Sequence, residues 1–589
     1  MRLPVFKSKD PYKRRVVAFG GINRLQGSAE GEIYDCSGIS HDSFPALTQR
    51  RKIELEFPFC NPVAAIFANK ECVVADGVLY YDRKAVGTLS EGAKTLVQMG
   101  NRIVIFPDKM YYDTKTDKLL RLDGECRLTD VKVNFENNKI TLPEVSHKTV
   151  STVETLTVHD DASLFRYSEA DVVDGVIILS EAELVKAKDL SNGDIFSETS
   201  GTQCYRIVQN VASENGETSI LNECISVEIT GKDVFSHFVQ GDIVEINGCE
   251  CTTNNKQVKV VEAGADYLLF EDGTFEEKTE TVSVIIRRNI PDFSCMCVYK
   301  NRLWGCSGNT IYASALGDPR NYFKYSNLST DSFTIESDSS GDFTAATVYG
   351  NYCLFFKEDR CYRLFGDRPA NFQLVEAFFG GISKDNSESI ANIDGKIIYK
   401  GHGGIYTFCG GNPQNISEKL GKTEMNNCVA GSYLDCYYLS ADTENGREEF
   451  VFDTKHGLWS KSGIRDVKDY FSYGGKMYRL MNDGIYFITE ETDNSHEWFA
   501  EFCPFDEDYY KTKNYSRIYI TAQLFENSVI KTEISRDGGE WQTVSHNYGN
   551  EKEYINIPCP IKRCHEVRVR ISGKGKSIVE SIVREFSVN

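Results

Sequence analysis

Residue types able to do acid, base, nucleophilic or metal chemistry are plentiful in this chain, but few are spaced for it. Nine histidines are scattered singly, with no His-Glu-x-x-His pair to set two imidazoles one helical turn apart on zinc. Cys249 and Cys251, and Cys295 and Cys297, stand one residue apart. On a strand that spacing puts both thiols on one face, and it is not the Cys-x-x-Cys knuckle of zinc, so both pairs read as core packing. Ser337-Asp338-Ser339-Ser340-Gly341-Asp342 lacks carboxylates at alternate positions and the later Glu of a calcium loop, and reads as a turn. There is no glycine-rich phosphate cradle followed by Lys-Ser or Lys-Thr, and no Gly-x-Ser-x-Gly elbow. The sequence therefore assigns no catalytic residue, no cofactor-binding residue, no metal ligand and no cofactor. Acids are abundant, and the paired carboxylates of a glycosidase are defined by their separation in space, so that activity is left open.

The elements that would carry such groups are strands. From Tyr299 to Tyr406 one phrase recurs: a polar turn on Gly or Asn, four or five apolar residues, a second turn, then a short apolar return. Its copies begin at Asn301-Arg302-Leu303-Trp304, Asn351-Tyr352-Cys353-Leu354 and Gly395-Lys396-Ile397-Ile398. The unit of roughly 45 residues is the period of a four-stranded propeller blade. Further copies run from Cys428 to Trp459 and from Phe471 to Phe487, and two more, at 63–81 and 95–112, lie about 32 residues apart, short for a blade. Two copies before an interruption and five after it give about seven blades. Ser535-Arg536-Asp537-Gly538-Gly539-Glu540-Trp541 is one residue shorter than the Asp box of sialidase propellers and lies outside the repeats; a hairpin turn with Trp541 packed on a sandwich accounts for it.

Composition agrees with an all-β reading. Aromatics make up 12% of 589 residues, with 31 Tyr, 34 Phe and 46 Gly, a balance that favours strands and tight turns. The formal charge of −20 and pI of about 5.1 rule out a general phosphate-neutralising groove, so sequence-specific nucleic-acid binding is not expected. No apolar run reaches the roughly 20 residues that span a bilayer, and the first residues lack a signal peptide's apolar segment, so the expectation is a protein made in a cytoplasm. Nineteen Cys over so long a chain read as reduced, mostly buried side chains rather than a disulfide framework.

In order, residues 1–60 read as an N-terminal arm, with Arg50-Arg51-Lys52 as a solvated charged edge; 61–120 is the first part of the propeller. Residues 121–290 read as an inserted domain holding a small barrel of about five strands between 240 and 286, with a helix at Ser180–Ala187 where Glu183 follows a Ser cap by three residues. Residues 291–495 resume the propeller, and 496–589 alternate as a β-sandwich whose last strand, near 577–586, ties the tail into a sheet.

The ordered series Asn301-Arg302-Leu303-Trp304, Ile311-Tyr312-Ala313-Ser314, Gly317-Asp318-Pro319-Arg320-Asn321-Tyr322-Phe323, Leu364–Phe372, Gly380-Gly381-Ile382-Ser383, Gly457-Leu458-Trp459 and Val567–Gly573 resembles the tail hub or nozzle proteins of tailed bacteriophages. The resemblance spans most of 290–589, weakens at the amino terminus and is least in 120–290. It implies a structural virion protein without enzymatic activity, assembled as a ring of six around the DNA exit channel. Portal or adaptor and other tail proteins, with tail fibres as a further possibility, are the implied partners, and the channel passes DNA without a sequence-specific contact. An acidic lumen would let that DNA slide. The alternative is a tail-associated glycan-binding or glycan-degrading propeller.

Overall fold

The computed structural model describes residues 11–588 apart from 26–28, 137, 142–152, 168–171, 174–175, 179–182, 198–203, 229–234, 236–237, 265–266, 272–274, 378 and 550–551. The chain divides into two units, one of residues 1–120 and 291–589 and the other of residues 121–290.

The first unit holds seven four-stranded antiparallel sheets. Blade 1 covers 62–88, blade 2 95–121, blade 3 295–336, blade 4 345–377, blade 5 391–415 and blade 6 426–461. The first strand of each sheet abuts the first strand of its neighbour: Pro62–Ala68 lies between Asp469–Tyr473 and Thr95–Met99, and Asn426–Tyr433 between Ala391–Ile393 and Asp469–Tyr473. Blades 4 and 5 join through a shared core of Leu354, Phe356, Ile397 and Tyr399. The seven sheets thus close a β-propeller.

Turn chemistry explains why each blade folds locally. Lys300 and Asn301 (φ 48° and 55°) turn the first hairpin of blade 3, and Asp394 and Gly395 (φ 48° and 73°) that of blade 5, the left-handed pair that a two-residue hairpin requires. Apolar residues on the strands then face neighbouring blades: Trp304, Phe355 and Leu364 are all fully buried in the joint between blades 3 and 4.

Ring closure is not local. Blade 7 takes three strands from 469–492 and its fourth, Arg51–Pro58, from near the amino terminus, paired antiparallel with Gly484–Thr492. The alternation Ile53, Leu55, Phe57 marks this segment as a strand. Arg50 is not at a solvated edge: it is 6% exposed and donates to Asp493 at 2.9 Å. Beside it, Arg51 reaches Asp42 at 2.7 Å near the surface.

The rest of the N-terminal segment joins the C-terminal β-sandwich. One sheet places Ser577–Val588 beside Lys513–Leu524, Leu47–Gln49 and Tyr12–Val16, so the tail is tied in as expected. The other orders Ile33–Ser37, Glu497–Phe502, Val567–Lys574, Ser528–Arg536 and Gln542–Gly549. Ile520, Ile571, Ile582 and Phe502 form the core between the sheets, and that core continues into Tyr437 and Trp459 of blade 6. Ile22 N–H donates to the Trp459 carbonyl at 2.8 Å, an approach that needs Gly21, where a Cβ would lie 2.6 Å from the Trp459 nitrogen.

The second unit contains a closed six-stranded barrel. Four of its strands, Ile243–Asn247, Gln257–Ala263, Tyr267–Phe270 and Lys278–Arg288, match the sequence reading; Gly124–Glu136 and Lys139–Thr141 complete it. A separate sheet is built from strands between 153 and 228. The helix expected at Ser180–Ala187 is absent where described: Glu183–Lys186 is a strand paired with Ser163–Tyr167, followed by a 3₁₀ turn at Ala187–Asp189, while 180–182 lie outside the described residues. Pairing with a sheet edge outweighs the weak helical propensity of so short a run.

Candidate functional site

The sequence motifs are accounted for by structure. Cys249 and Cys251 lie in a turn after strand Ile243–Asn247 rather than on a strand. Cys295 and Cys297 do share a strand, Cys295–Tyr299. At Ser337–Asp342 the protein supplies its own cation. The Lys357 ammonium donates to Ser337 Oγ at 2.7 Å, to Ser339 O and Oγ at 2.9 Å each, and to Asn309 Oδ1. Ser535–Trp541 turns between two sandwich strands; Asp537 accepts from the His565 and Glu566 amides at 2.7 and 3.1 Å, and Trp541 lies under Arg570 at 4.1 Å. Among the described residues no group of three or more His, Cys, Asp or Glu is arranged to hold a metal ion.

What the sequence did not single out is a pair of carboxylates on the propeller. The first strands of the blades line its axis and all begin at one end, because every sheet is a meander read from the inside outward. Asp469 is the first residue of the inner strand of blade 7. Glu388 lies in the last turn of the 3₁₀ segment Lys384–Ser389 that leads into the inner strand Ala391–Ile393 of blade 5. Both therefore stand at the same mouth of the channel, with the start of blade 6 between them.

Glu388 is exposed and Asp469 half-buried at the surface, yet both carboxyls are desolvated by the protein around them. That desolvation, reinforced by the charge of Glu388, pushes the Asp469 carboxyl up to about 7, and desolvation alone raises Glu388. Between them the scaffold is fixed by hydrogen bonds. Cys428 N–H donates to Asn386 Oδ1 at 3.1 Å, and Arg447 donates to the Val467 carbonyl at 2.7 Å and to Asp442 at 2.9 Å.

The same end carries a cleft of 720 Å³ on blade 5 and the connection to blade 6, within the range typical of small-molecule sites. Its walls include Asp385, Lys400, His402, Asn415, Glu418 and Glu424. Lys400 donates to the Gly401 carbonyl at 2.8 Å, and burial lowers its pKa. Gly404 lets the loop close against the wall: a Cβ there would meet Ser417 Oγ at 2.7 Å. Carboxylates, an ammonium, amides and bare backbone on one wall can pair with a ligand rich in hydroxyls. No motif announces this arrangement, since Asp385 and Glu388 belong to the connection into blade 5 and Asp469 opens the inner strand of blade 7.

No family model and no curated protein matches the chain. Similar solved structures include an exo-β-1,3-galactanase from Phanerochaete chrysosporium, at 9% identity over 50% of this chain and 96% of that one, TM-score 0.21. The extracellular domain of a putative hybrid two-component system from B. thetaiotaomicron aligns at 8% identity over 94% of this chain and 98% of that one, TM-score 0.21. PorZ of Porphyromonas gingivalis aligns at 11% over 76% and 65%, TM-score 0.13.

The presence of glycoside hydrolases among these structures corrects the expectation that the chain lacks enzymatic activity. At such identities and TM-scores the likeness transfers no residue and no substrate.

Proposed function

We propose that the protein is a tail-associated β-propeller of a tailed bacteriophage, acting as a ring subunit around the DNA exit channel. The observation that carries this reading is the ordered run of resembling segments across 290–589. The way the propeller is closed supports it: the strand Arg51–Pro58 locks blade 7, and Tyr12–Val16 and Ser577–Val588 pair with each other in the sandwich. The charge of −20 opposes association of free subunits until a portal or adaptor template is met. Head-to-tail contacts closing by rotation then give a ring, with six copies expected. Negative-stain images of purified particles carrying labelled protein are expected to show label as a collar on the tail axis. Label on the capsid shell or at fibre tips would overturn the reading.

A second reading, that the same propeller binds or cleaves a glycan, is favoured by Glu388 and Asp469 at the channel mouth beside the polar cleft. In it Asp469, protonated in part near neutral pH, donates to the leaving glycosidic oxygen while Glu388 serves the opposite face of the sugar. Release of reducing sugar from host wall or capsule by the purified protein, abolished by Asp469→Asn, is the expected result. Equal release by wild type and Asp469→Asn would remove this pair from the chemistry, and no release at all would remove cleavage.

Asp469 also makes a stability prediction. Because its folded pKa is raised from 3.8 to about 7, its contribution is complete below 3.8 and lost as pH rises through about 7. Asp469→Asn is expected to flatten the stability profile over that window in chemical denaturation; an unchanged slope would show that the carboxyl is not desolvated.

A further inference from the structure

Four thiols meet at the joint between blades 3 and 4. Cys295 and Cys306 are register partners on the antiparallel strands Cys295–Tyr299 and Arg302–Ser307. Cys297 lies two residues along the first strand, on the same face. Cys353 comes from the strand Tyr352–Phe356 of the next blade. Cys297, Cys306 and Cys353 belong to one core cluster, with Cys295 packed against its edge. The thiols also neighbour one another in pairs, Cys306 with Cys295 and Cys297 with Cys353, close enough that each neighbour helps raise the thiol above its ordinary range. All four are free, and a metal does not explain the grouping.

Burial is graded across the group. Cys306 and Cys353 are fully buried and Cys297 is 8% exposed, whereas Cys295 is half-buried at the rim. Directly opposed residues on antiparallel strands have Cα atoms about 4.5–5.5 Å apart, inside the span a disulfide bridges. The outer pair thus has both the separation and an accessible sulfur, and the inner pair has a thiol neighbour on its outward side.

We propose that these thiols are the site of two latent disulfides, Cys295–Cys306 within blade 3 and Cys297–Cys353 between blades 3 and 4, closed by exchange with a small-molecule disulfide. The Cys295 thiolate attacks one sulfur of the disulfide and expels one thiolate of the reagent. The Cys306 thiolate then attacks the Cys295 sulfur of the mixed disulfide and expels the second, so that two protein thiols lose two protons and two electrons and one reagent disulfide becomes two thiols. The inner pair closes by relay. Cys297 attacks the Cys295–Cys306 bond at the Cys295 sulfur, freeing Cys306, and Cys353 attacks the Cys297 sulfur, freeing Cys295. A second reagent disulfide then closes the outer pair again.

The neighbouring thiols and burial keep the inner thiols protonated, so the relay is slow in a reducing cytoplasm and proceeds on transfer to an oxidising medium. Its product is a covalent tie between adjacent blades.

The test uses the full chain, reduced, purified and exposed to oxidised glutathione at pH 8, with free thiols then blocked and peptides mapped by mass spectrometry. The expected result is Cys295–Cys306 first and Cys297–Cys353 later, glutathione adducts at the exposed Cys60 and Cys409, and a thermal midpoint raised by a few degrees. Cys295→Ser is expected to slow closure of the inner pair, and closure at the wild-type rate would remove the relay. The proposal is overturned if all four thiols stay free while Cys60 and Cys409 react, if Cys295 remains a glutathione adduct, or if the bonds join other partners.

Discussion

Two joints of the propeller differ in what their apolar cores enclose. Between blades 6 and 7 an apolar core of Val467, Met477 and Ile488 encloses buried ion pairs: Arg479 donates to Glu449 at 2.7 and 3.2 Å, Tyr470 adds its hydroxyl at 2.7 Å, and Arg50 pairs with Asp493 beneath the closing strand. Between blades 3 and 4 the core is rich in aromatics and sulfur: Trp304 meets Phe372 edge-on at 5.0 Å, Phe355 lies 6.2 Å away, and the four thiols pack with aliphatic residues such as Ile311 and Leu364. The aromatic joint gains from each apolar area it buries and tolerates small changes of shape. The ionic joint has directional partners and leaves a desolvated charge if one is lost, a feature suited to fixing where a distant strand must dock.

The largest expected effect comes from breaking the ionic joint. Glu449→Gln keeps the shape but strands the Arg479 charge, and should destabilise the first unit by about 3–5 kcal/mol in denaturant titration. Leu364→Met, an equally conservative change in the aromatic joint, should cost less than about 1.5 kcal/mol. Equal losses would mean that the two joints do not differ in kind.

The pH responses sharpen the contrast. Glu449 is desolvated, yet the charge and hydrogen bonds of Arg479 hold its pKa below 4.5; its contribution is present above 4.5 and lost as pH falls through the lower folded value. Cys297 and Cys306 are raised well above 9.0, so their contribution is complete below 9.0 and declines as pH rises beyond it. Hydrogen exchange should therefore quicken first at blades 6 and 7 in acid and first at blades 3 and 4 in alkali. Loss of protection at the same joint in both directions would contradict this assignment.

The smallest effect tests burial at adjacent residues. Arg51→Ala removes a partly exposed pair with Asp42 and should cost less than about 1 kcal/mol. Arg50→Ala, one residue earlier, leaves the buried Asp493 carboxylate with the Ser495 amide and hydroxyl but no counter-charge, and should cost about 3 kcal/mol. Similar values for the two would refute the burial of Arg50.

The sequence by itself determined what depends on neighbours along the chain. Asn301 and Gly395 mark hairpins because their turns need a left-handed backbone, and alternation around Leu303, Leu354 and Ile397 marks strands with one face to a core. Counting such phrases gave the propeller, its seven blades and the place of the interruption.

Tertiary structure alone decided which distant edges meet. A period-two pattern such as Ile53, Leu55, Phe57 declares a strand but not its partner, and only ring closure places it beside Gly484–Thr492. Glu183–Lys186 became a strand because an unpaired edge lay next to it. Glu388 and Asp469, and Cys297 and Cys353, come together for the same reason. Residues on different blades are brought to one place by the circular order of the sheets, a long-range property that local spacing does not encode.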